Sequence, residues 1–389
     1  MVKLTFVKSV ATQAFINNRK LYALHKVFLF PIFSLYNINM KTIHTGKRNV
    51  IFDEEFENIF IDLNISAFHE LGFSFGDSIS LHFDDGRIIE DIPYYSGYYS
   101  GVEELMLCGY PGDPYIKIAR NCGNPTWYEF HMHSFNQIDI TLQEKGKYKE
   151  IEELFSLSYS DNPNDYPTLE SYCNFRELTG GKIKGKAFYR SASPCDNWHN
   201  RAEHTDQLVK QYDIHYVLNL SNSEEKYTSF LERKEYSTST YHSLYQNNHV
   251  LLVELNVNYR SLEFKKKIAR AFVHMIKHQQ PVLIHCAEGK DRTGFVSALI
   301  LALASSNYND ILSDYMLTYQ NYYGITKDNA PKKYAAILEN IIDFLYSMCE
   351  ADRTLPIHQL DLHNCAKQYL LQGGISEASL EEIIDYICT

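Results

Sequence analysis

The stretch His285-Cys286-Ala287-Glu288-Gly289-Lys290-Asp291-Arg292-Thr293-Gly294 decides the reading of this chain. A short apolar run, Val282-Leu283-Ile284, precedes it, and a longer one, Phe295 to Ala304, follows. That order predicts a strand, a tight loop and the start of a helix. The cysteine stands at the strand's end and the arginine six residues later. A thiol and a guanidinium at the two ends of a loop of backbone N–H groups make a site for a phosphate that is to be attacked. The helix N-terminus beneath it adds a dipole that favours an anion.

Spacing alone does not carry this reading, because Cys195-Asp-Asn-Trp-His-Asn-Arg201 repeats the C-x5-R pattern. A phosphate cradle needs inward N–H groups, hence permissive backbone positions and no bulky side chain in the concavity. The loop at Cys286 has Gly289, with Gly294 just past Arg292. The stretch at Cys195 has no glycine, a tryptophan in the middle, and Ser-Pro in front of it. It reads as the approach to a helix, with Asp196 or Asn197 as cap.

The residue types assign expected roles. The helix dipole, the N–H groups and Arg292 favour Cys286 as a thiolate nucleophile that forms a phosphocysteine. Arg292 grips two phosphate oxygens and stabilises transition-state charge. Thr293 would hydrogen-bond the sulfur as it leaves, and Lys290 adds positive charge at the rim. Ala287, Glu288, Gly289, Lys290 and Thr293 are the expected substrate-binding positions, and His285 orients the loop.

Composition narrows the rest. At 389 residues two domains are expected, with hydrophobic content of 45% and charged content of 22% ordinary for a globular protein. The net charge of −11 argues against a general nucleic-acid binder. Residues 1–52 hold eight Lys and Arg and no acid, and all 48 acids follow from Asp53 onward. Such a start is either a targeting segment or an upstream extension, with Met40 as a more natural beginning. Its apolar run, Val27 to Tyr36, is broken by Pro31 and too short to span a bilayer. No transmembrane segment and a cytoplasmic location are expected. The eight cysteines form no C-x-x-C pair and no zinc spacing. They read as reduced, mostly buried thiols, with no disulfide framework, no metal and no cofactor.

Along the chain we expect a basic extension over 1–50, a small β-rich domain over 51–158, a linker over 159–168 and an α/β domain over 169–389. In the second, Ser78 to Phe83 alternates, Asp84-Asp85-Gly86 turns, and Arg87-Ile88-Ile89 resumes, which is a hairpin signal for a small barrel or sandwich. The aromatic strand faces there are expected mainly in the core. The fourth region alternates strands and helices, including a helix capped by Ser261 with Phe264, Ile268, Phe272, Met275 and Ile276 on one face. Two or three helices are expected to close the chain, around a mostly parallel sheet.

The string HCxxGKDRTG resembles the loop of the bacterial tyrosine-phosphatase group, related to dual-specificity and lipid phosphatases. Asn174-Phe175-Arg176-Glu177-Leu178, Phe188 to Ser193, Val217 to Ser221, Asp310 to Met316 and Ala366 to Leu371 add to the resemblance over residues 174 to about 389. It implies a cysteine-phosphatase fold and substrates that are phosphotyrosine proteins, with phosphoinositides as the alternative. Gly76 to Gly112 is similar to an N-terminal β-module fused to such phosphatases in Gram-positive anaerobes, and faintly resembles the β-barrel half of enzymes acting on S-adenosylmethionine. A reading from another class is a phosphate-binding pseudophosphatase scaffold. The sequence is silent on oligomeric state.

One departure stands out. Related enzymes often carry an Asp in a D-L-R sequence where this chain has Asn219-Leu220-Ser221. The W-P-D loop of animal tyrosine phosphatases is likewise missing, its region reading Val253-Glu254-Leu255-Asn256-Val257-Asn258. A leaving phenolate needs a proton donor within reach. Asp291, which resembles the loop Asp of myotubularin-type phosphatases, is the first candidate and Glu254 the second; the competing role for Asp291 is to pin Lys290. Lys182, Lys184 and Lys186 sit two apart, so on a strand they would share one face and form a basic strip with Arg190, either a solvated hairpin face or an attraction for an acidic headgroup.

Overall fold

Seven strands curl into a closed barrel in the computed structural model, which describes residues 42–233 and 236–389. The basic start read as extension or targeting segment lies outside the described residues up to residue 41. The strands are β1 (Arg48–Phe52), β2 (Ile59–Ile61), β3 (Ser78–Phe83), β4 (Ile88–Tyr95), β5 (Leu105–Cys108), β6 (Lys117–Arg120) and β7 (Gln137–Glu144). They run β1-β2-β6-β5-β4-β3-β7, and β1 pairs back onto β7. The hairpin read at Asp84-Asp85-Gly86 joins β3 to β4, with the Phe83 N–H donating to Arg87 O at 2.9 Å. Alternation aims Ile79, Leu81, Ile138 and Ile140 inward, where Phe68 and Phe73 stack at 4.0 Å and fill the lumen. Of the two architectures anticipated, closure selects the barrel.

The second region is built on β8 (Arg176–Glu177), β9 (Phe188–Ser191), β10 (Tyr216–Asn219), β11 (Val250–Leu252) and β12 (Val282–His285). Their order is β11-β10-β12-β9-β8; the first four are parallel and β8 runs antiparallel at the edge. Central β12 is buried throughout, which is why it reads as a continuous apolar run. Helix α1 (Leu262–Met275) starts where the Ser261 hydroxyl accepts the Phe264 N–H at 3.1 Å. Its face of Phe264, Ile268, Phe272 and Met275 is buried, as the spacing predicts.

Helix α2 (Asp291–Leu303) leaves the loop and is buried on all sides from Thr293 to Leu303. It is apolar all round because β9 and β12 cover one side and later helices the other. These are α3 (Tyr308–Tyr323), α4 (Pro331–Met348), α5 (Leu362–Gln372) and α6 (Glu377–Cys388). Four helices thus follow where two or three were expected. The breaks are local: Gly324 ends α3, Pro331 opens α4, and the Asp361 and Ser376 side chains cap α5 and α6. Among the described residues no helix is long and apolar enough to cross a membrane.

The barrel packs against this region. The helix Lys149–Phe155 after β7 contacts α4, and Phe155, Leu157 and Cys122 pack on the second region's core. Lys226 and Glu55 pair across the junction at 2.7 Å.

Two expectations are corrected. Cys349 and Cys365 form a disulfide that ties the end of α4 to α5. Their separation of 16 residues carries no local signal; the turn between the two helices brings them together. The lysine strip does not exist as read. Lys182, Lys184 and Lys186 lie on the irregular connection from β8 to β9, where the Gly180-Gly181 turn breaks the strand pattern, and Arg190 is fully buried.

Phe272 is inaccessible to solvent in the main core. Phe272→Ala is expected to lower unfolding free energy by about 3–5 kcal/mol, read from urea denaturation by circular dichroism. A loss below about 1 kcal/mol would mean the core is organised differently.

Candidate active site

Strand β12 carries His285 and Cys286 to the C-terminal edge of the sheet, and α2 begins at Asp291, so five residues make the turn. Gly289 sits at φ 69°, and a Cβ there would stand 2.2 Å from Ser191 O, so only glycine fits against the end of β9. At Gly294 a Cβ would meet the Tyr315 ring at 2.8 Å, so this position lets α3 approach the first turn of α2.

Every carbonyl in the turn is held from outside. His285 Nδ1 donates to Cys286 O at 3.2 Å, the Ser193 N–H to Ala287 O at 3.0 Å, and the Tyr322 hydroxyl to Glu288 O at 2.7 Å. Gly289 O accepts from Asn174 Nδ2 at 3.0 Å and from Arg190 Nη2 at 2.8 Å, and Lys290 O accepts the Gly294 N–H at 2.8 Å. A peptide plane with its carbonyl turned out has its N–H turned in. Among the described residues, no acceptor takes the N–H groups from Ala287 to Thr293. This is a nest for an anion, with a helix N-terminus beneath it.

Beneath the nest lies a buried ion-pair network. Arg190 Nη1 meets Asp314 Oδ2 at 2.5 Å, and Arg176 Nε meets Asp314 Oδ1 at 2.9 Å. Burial opposes the Asp314 charge, yet Arg176 and Arg190 outweigh it and hold the carboxyl below the usual range. Sequence reading quoted Asn174, Arg176 and Arg190 without giving them this part. An arginine on a short strand between apolar neighbours was the available signal.

A neutral chain supports the other flank. Asn219 Nδ2 donates to the Tyr241 hydroxyl at 2.9 Å, which bonds His285 Nε2 at 3.2 Å. Burial, against the bond to Cys286, pushes His285 down to about 3, so the ring is neutral at working pH. That agrees with an orienting part for His285. Asn219 is fully buried and its amide is spent on Tyr241, Asn222 and Ser221.

The charged groups face the opening. Glu288 accepts the Tyr159 hydroxyl and pairs with Lys290 at 3.2 Å. Burial raises the Glu288 carboxyl, but Lys290 and Tyr159 prevail and hold it low. Asp291 lies farther from Lys290, at 3.8 Å, with its side chain 45% exposed. Burial, only partly countered by Lys290, holds the Asp291 carboxyl above the ordinary value, and Glu288 adds to the rise. Cys286 is 4% exposed at the floor. Arg292 Nη1 donates to Leu255 O at 3.2 Å, and the buried Thr293 hydroxyl has no partner. Glu254 is exposed; its neighbour Leu255 is the residue that touches Arg292.

The second C-x5-R stretch builds no cradle. Cys195 is buried against Ser193 and Asn222, and Arg201 is enclosed by tyrosine rings. Neither Asp196 nor Asn197 caps the helix Ala202–Gln211, which starts at Arg201 without a side-chain cap, although Asn197 accepts the Ala202 N–H at 3.2 Å.

The sequence profile of the tyrosine phosphatase family matches residues 167–389, more than half of the chain. The chain belongs to that family. In this tyrosine phosphatase family member the match takes in β8 to β12, the loop and α6, and leaves the barrel outside. No curated protein sequence matches the chain. Among solved structures it is similar to an uncharacterized conserved protein from Thermotoga maritima, at 15% identity and a TM-score of 0.22. That alignment covers 29% of this chain and 42% of the other, so it spans less than half of that protein.

The histidine gives a pH prediction. Its folded value of about 3 lies below an unfolded value near 6.5. The unfolded state therefore takes up a proton that the folded state refuses. The stabilisation is complete above about pH 6.5 and fades as pH falls toward 3, by up to ~1.4 kcal/mol per pH unit. Urea midpoints measured across that range should fall less steeply in His285→Gln than in wild type. Equal slopes would show that His285 is protonated in the fold.

Proposed function

We propose that this chain is a cysteine-dependent phosphatase that hydrolyses phosphotyrosine through a phosphocysteine intermediate. The observation that carries the reading is the outward anchoring of all five carbonyls from Cys286 to Lys290, which leaves the N–H groups free over Cys286. Phosphate oxygens occupy that nest, and Arg292 adds two charge-assisted bonds. The Cys286 thiolate attacks phosphorus as the bond to the phenol oxygen breaks. Asp291 gives its proton to the departing phenolate. Its carboxylate then takes a proton from the water that attacks the phosphocysteine. Phosphate forms, the thiolate is released, and the unpartnered Thr293 hydroxyl is in place to bond it.

Charge placement supports phosphotyrosine over a phosphoinositide. A headgroup with several phosphates needs several free cations. Lys290 is paired with Glu288, and Arg176 and Arg190 are spent on Asp314 beneath the loop. The Lys182 N–H bonds Ala304 O at 2.6 Å, which places that lysine connection at the far end of α2. Thirteen residues of helix separate the two ends, roughly 20 Å. The site is furnished for one phosphate.

Wild type should hydrolyse para-nitrophenyl phosphate, and Cys286→Ser should fall to background; equal rates would remove the enzyme in favour of a phosphate-binding scaffold. For Asp291→Asn the loss should be about 10²–10⁴-fold on a phenyl ester with a poor leaving group and smaller on para-nitrophenyl phosphate. Because the acid must be protonated, the wild-type rate falls as pH rises through the raised Asp291 value, and the variant should lack that limb. An unchanged profile would take Asp291 out of proton transfer.

A further inference from the structure

The stretch Cys195–Arg201 has a feature that the phosphatase reading leaves unused. Trp198 is 47% exposed, and the two residues after it, His199 and Asn200, are both left-handed at φ 70° and 56°. Such a pair persists only where its surroundings over-determine it. Arg201 does so: it donates to His199 O at 3.1 Å, Tyr172 O at 2.8 Å and Ser160 O at 3.1 Å. Its guanidinium also lies 4.5–5.0 Å from the rings of Tyr172, Tyr159 and Tyr322. The backbone that follows an exposed tryptophan is therefore held in place.

That place lies on an unbroken line of rings. On the barrel side Trp198 faces Tyr110, which follows β5, at 6.4 Å between centroids, and Tyr110 meets Tyr98 at 6.1 Å. On the loop side His199 contacts Tyr159 at 4.8 Å, and Tyr159 contacts Tyr323 at 5.3 Å while its hydroxyl bonds Glu288. The line thus runs from the barrel to the anion nest. Tyr110 senses the nest's charges: burial raises its hydroxyl to about 12, with Lys290 pulling down and Glu288 and Asp291 pushing up.

We propose that the Tyr110–Trp198 seam, where the barrel meets the phosphatase domain, is the docking surface for the polypeptide that carries the phosphotyrosine. The occupant follows from continuity and charge. The seam leads directly to the nest, and the cation on its line, Arg201, is enclosed and bonded rather than offered to an anionic lipid. Rigid Trp and Tyr rings are the side chains that grip peptide segments at low entropic cost. The proposal rests on the phosphotyrosine reading and gives the barrel a part in it.

The test uses the full chain with Cys286→Ser to stop turnover, and calorimetry with a phosphotyrosyl peptide extending on both sides of the ester and with phenyl phosphate. Trp198→Ala and Tyr110→Ala should each weaken peptide binding roughly tenfold, about 1.4 kcal/mol, and phenyl phosphate far less. Tyr110→Phe keeps the ring and should restore peptide affinity. Trp198 is exposed, so its variant keeps the fold even if Tyr110→Ala disturbs the barrel. Equal weakening for both ligands overturns the proposal. So does a loss confined to vesicles carrying phosphorylated inositol lipid, which would assign the seam to a membrane. Wild-type turnover of the same peptide tests the phosphatase reading separately: its absence sinks that reading, while the binding ratios still decide the seam.

Discussion

The ion pair between Arg190 and Asp314 is the constraint on which the rest of the site depends. Taking two charges out of water costs several kcal/mol per ion, and their attraction does little more than offset that cost. The pair is therefore weak evidence for stability and strong evidence for position. Arg190 reaches from β9 to Gly289 O, Arg176 reaches from β8 to Asp314 on α3, and Asn174 bonds Gly289 O from the same side. Three separate elements thereby fix one carbonyl, and the peptide N–H opposite it turns inward as a consequence.

The site keeps its polar groups apart. On the flank opposite the Arg190–Asp314 pair, Asn219, Tyr241 and His285 form a chain that is neutral throughout and holds Cys286 O without adding charge near the sulfur. At the opening, Glu288 and Lys290 neutralise each other under the Tyr159 hydroxyl, so that Asp291 is left as the carboxyl with the weakest hold on a cation. Burial raises both acids; Glu288 ends low and Asp291 high because their bonds to Lys290 differ in length, not because the residues differ in kind.

Much of this was legible in the sequence, and the unreadable part has a common cause. The nest, its two glycines and the flanking strand and helix are local, so ten consecutive residues display them. Arg190 was misread as a surface cation because its partner Asp314 is 124 residues away and no spacing rule links them. The same holds for Cys349 and Cys365, whose pairing depends on how α4 and α5 turn back on each other. Alternation on β3 announced a half-buried strand but could not separate a barrel from a sandwich, since both bury one face. Asn219 where related enzymes often carry Asp was readable, and an amide has no acidic proton to give; the structure adds that it is wholly enclosed.

Closure of the barrel has one more consequence. Among the described residues, β1 joined to β7 leaves the barrel without an end strand. A partner segment cannot extend that sheet by adding a strand, the commonest way a small β-module captures an extended chain. Recognition through this module is left to the side chains on its connecting loops, and register-blind backbone pairing with unrelated chains is shut out by topology.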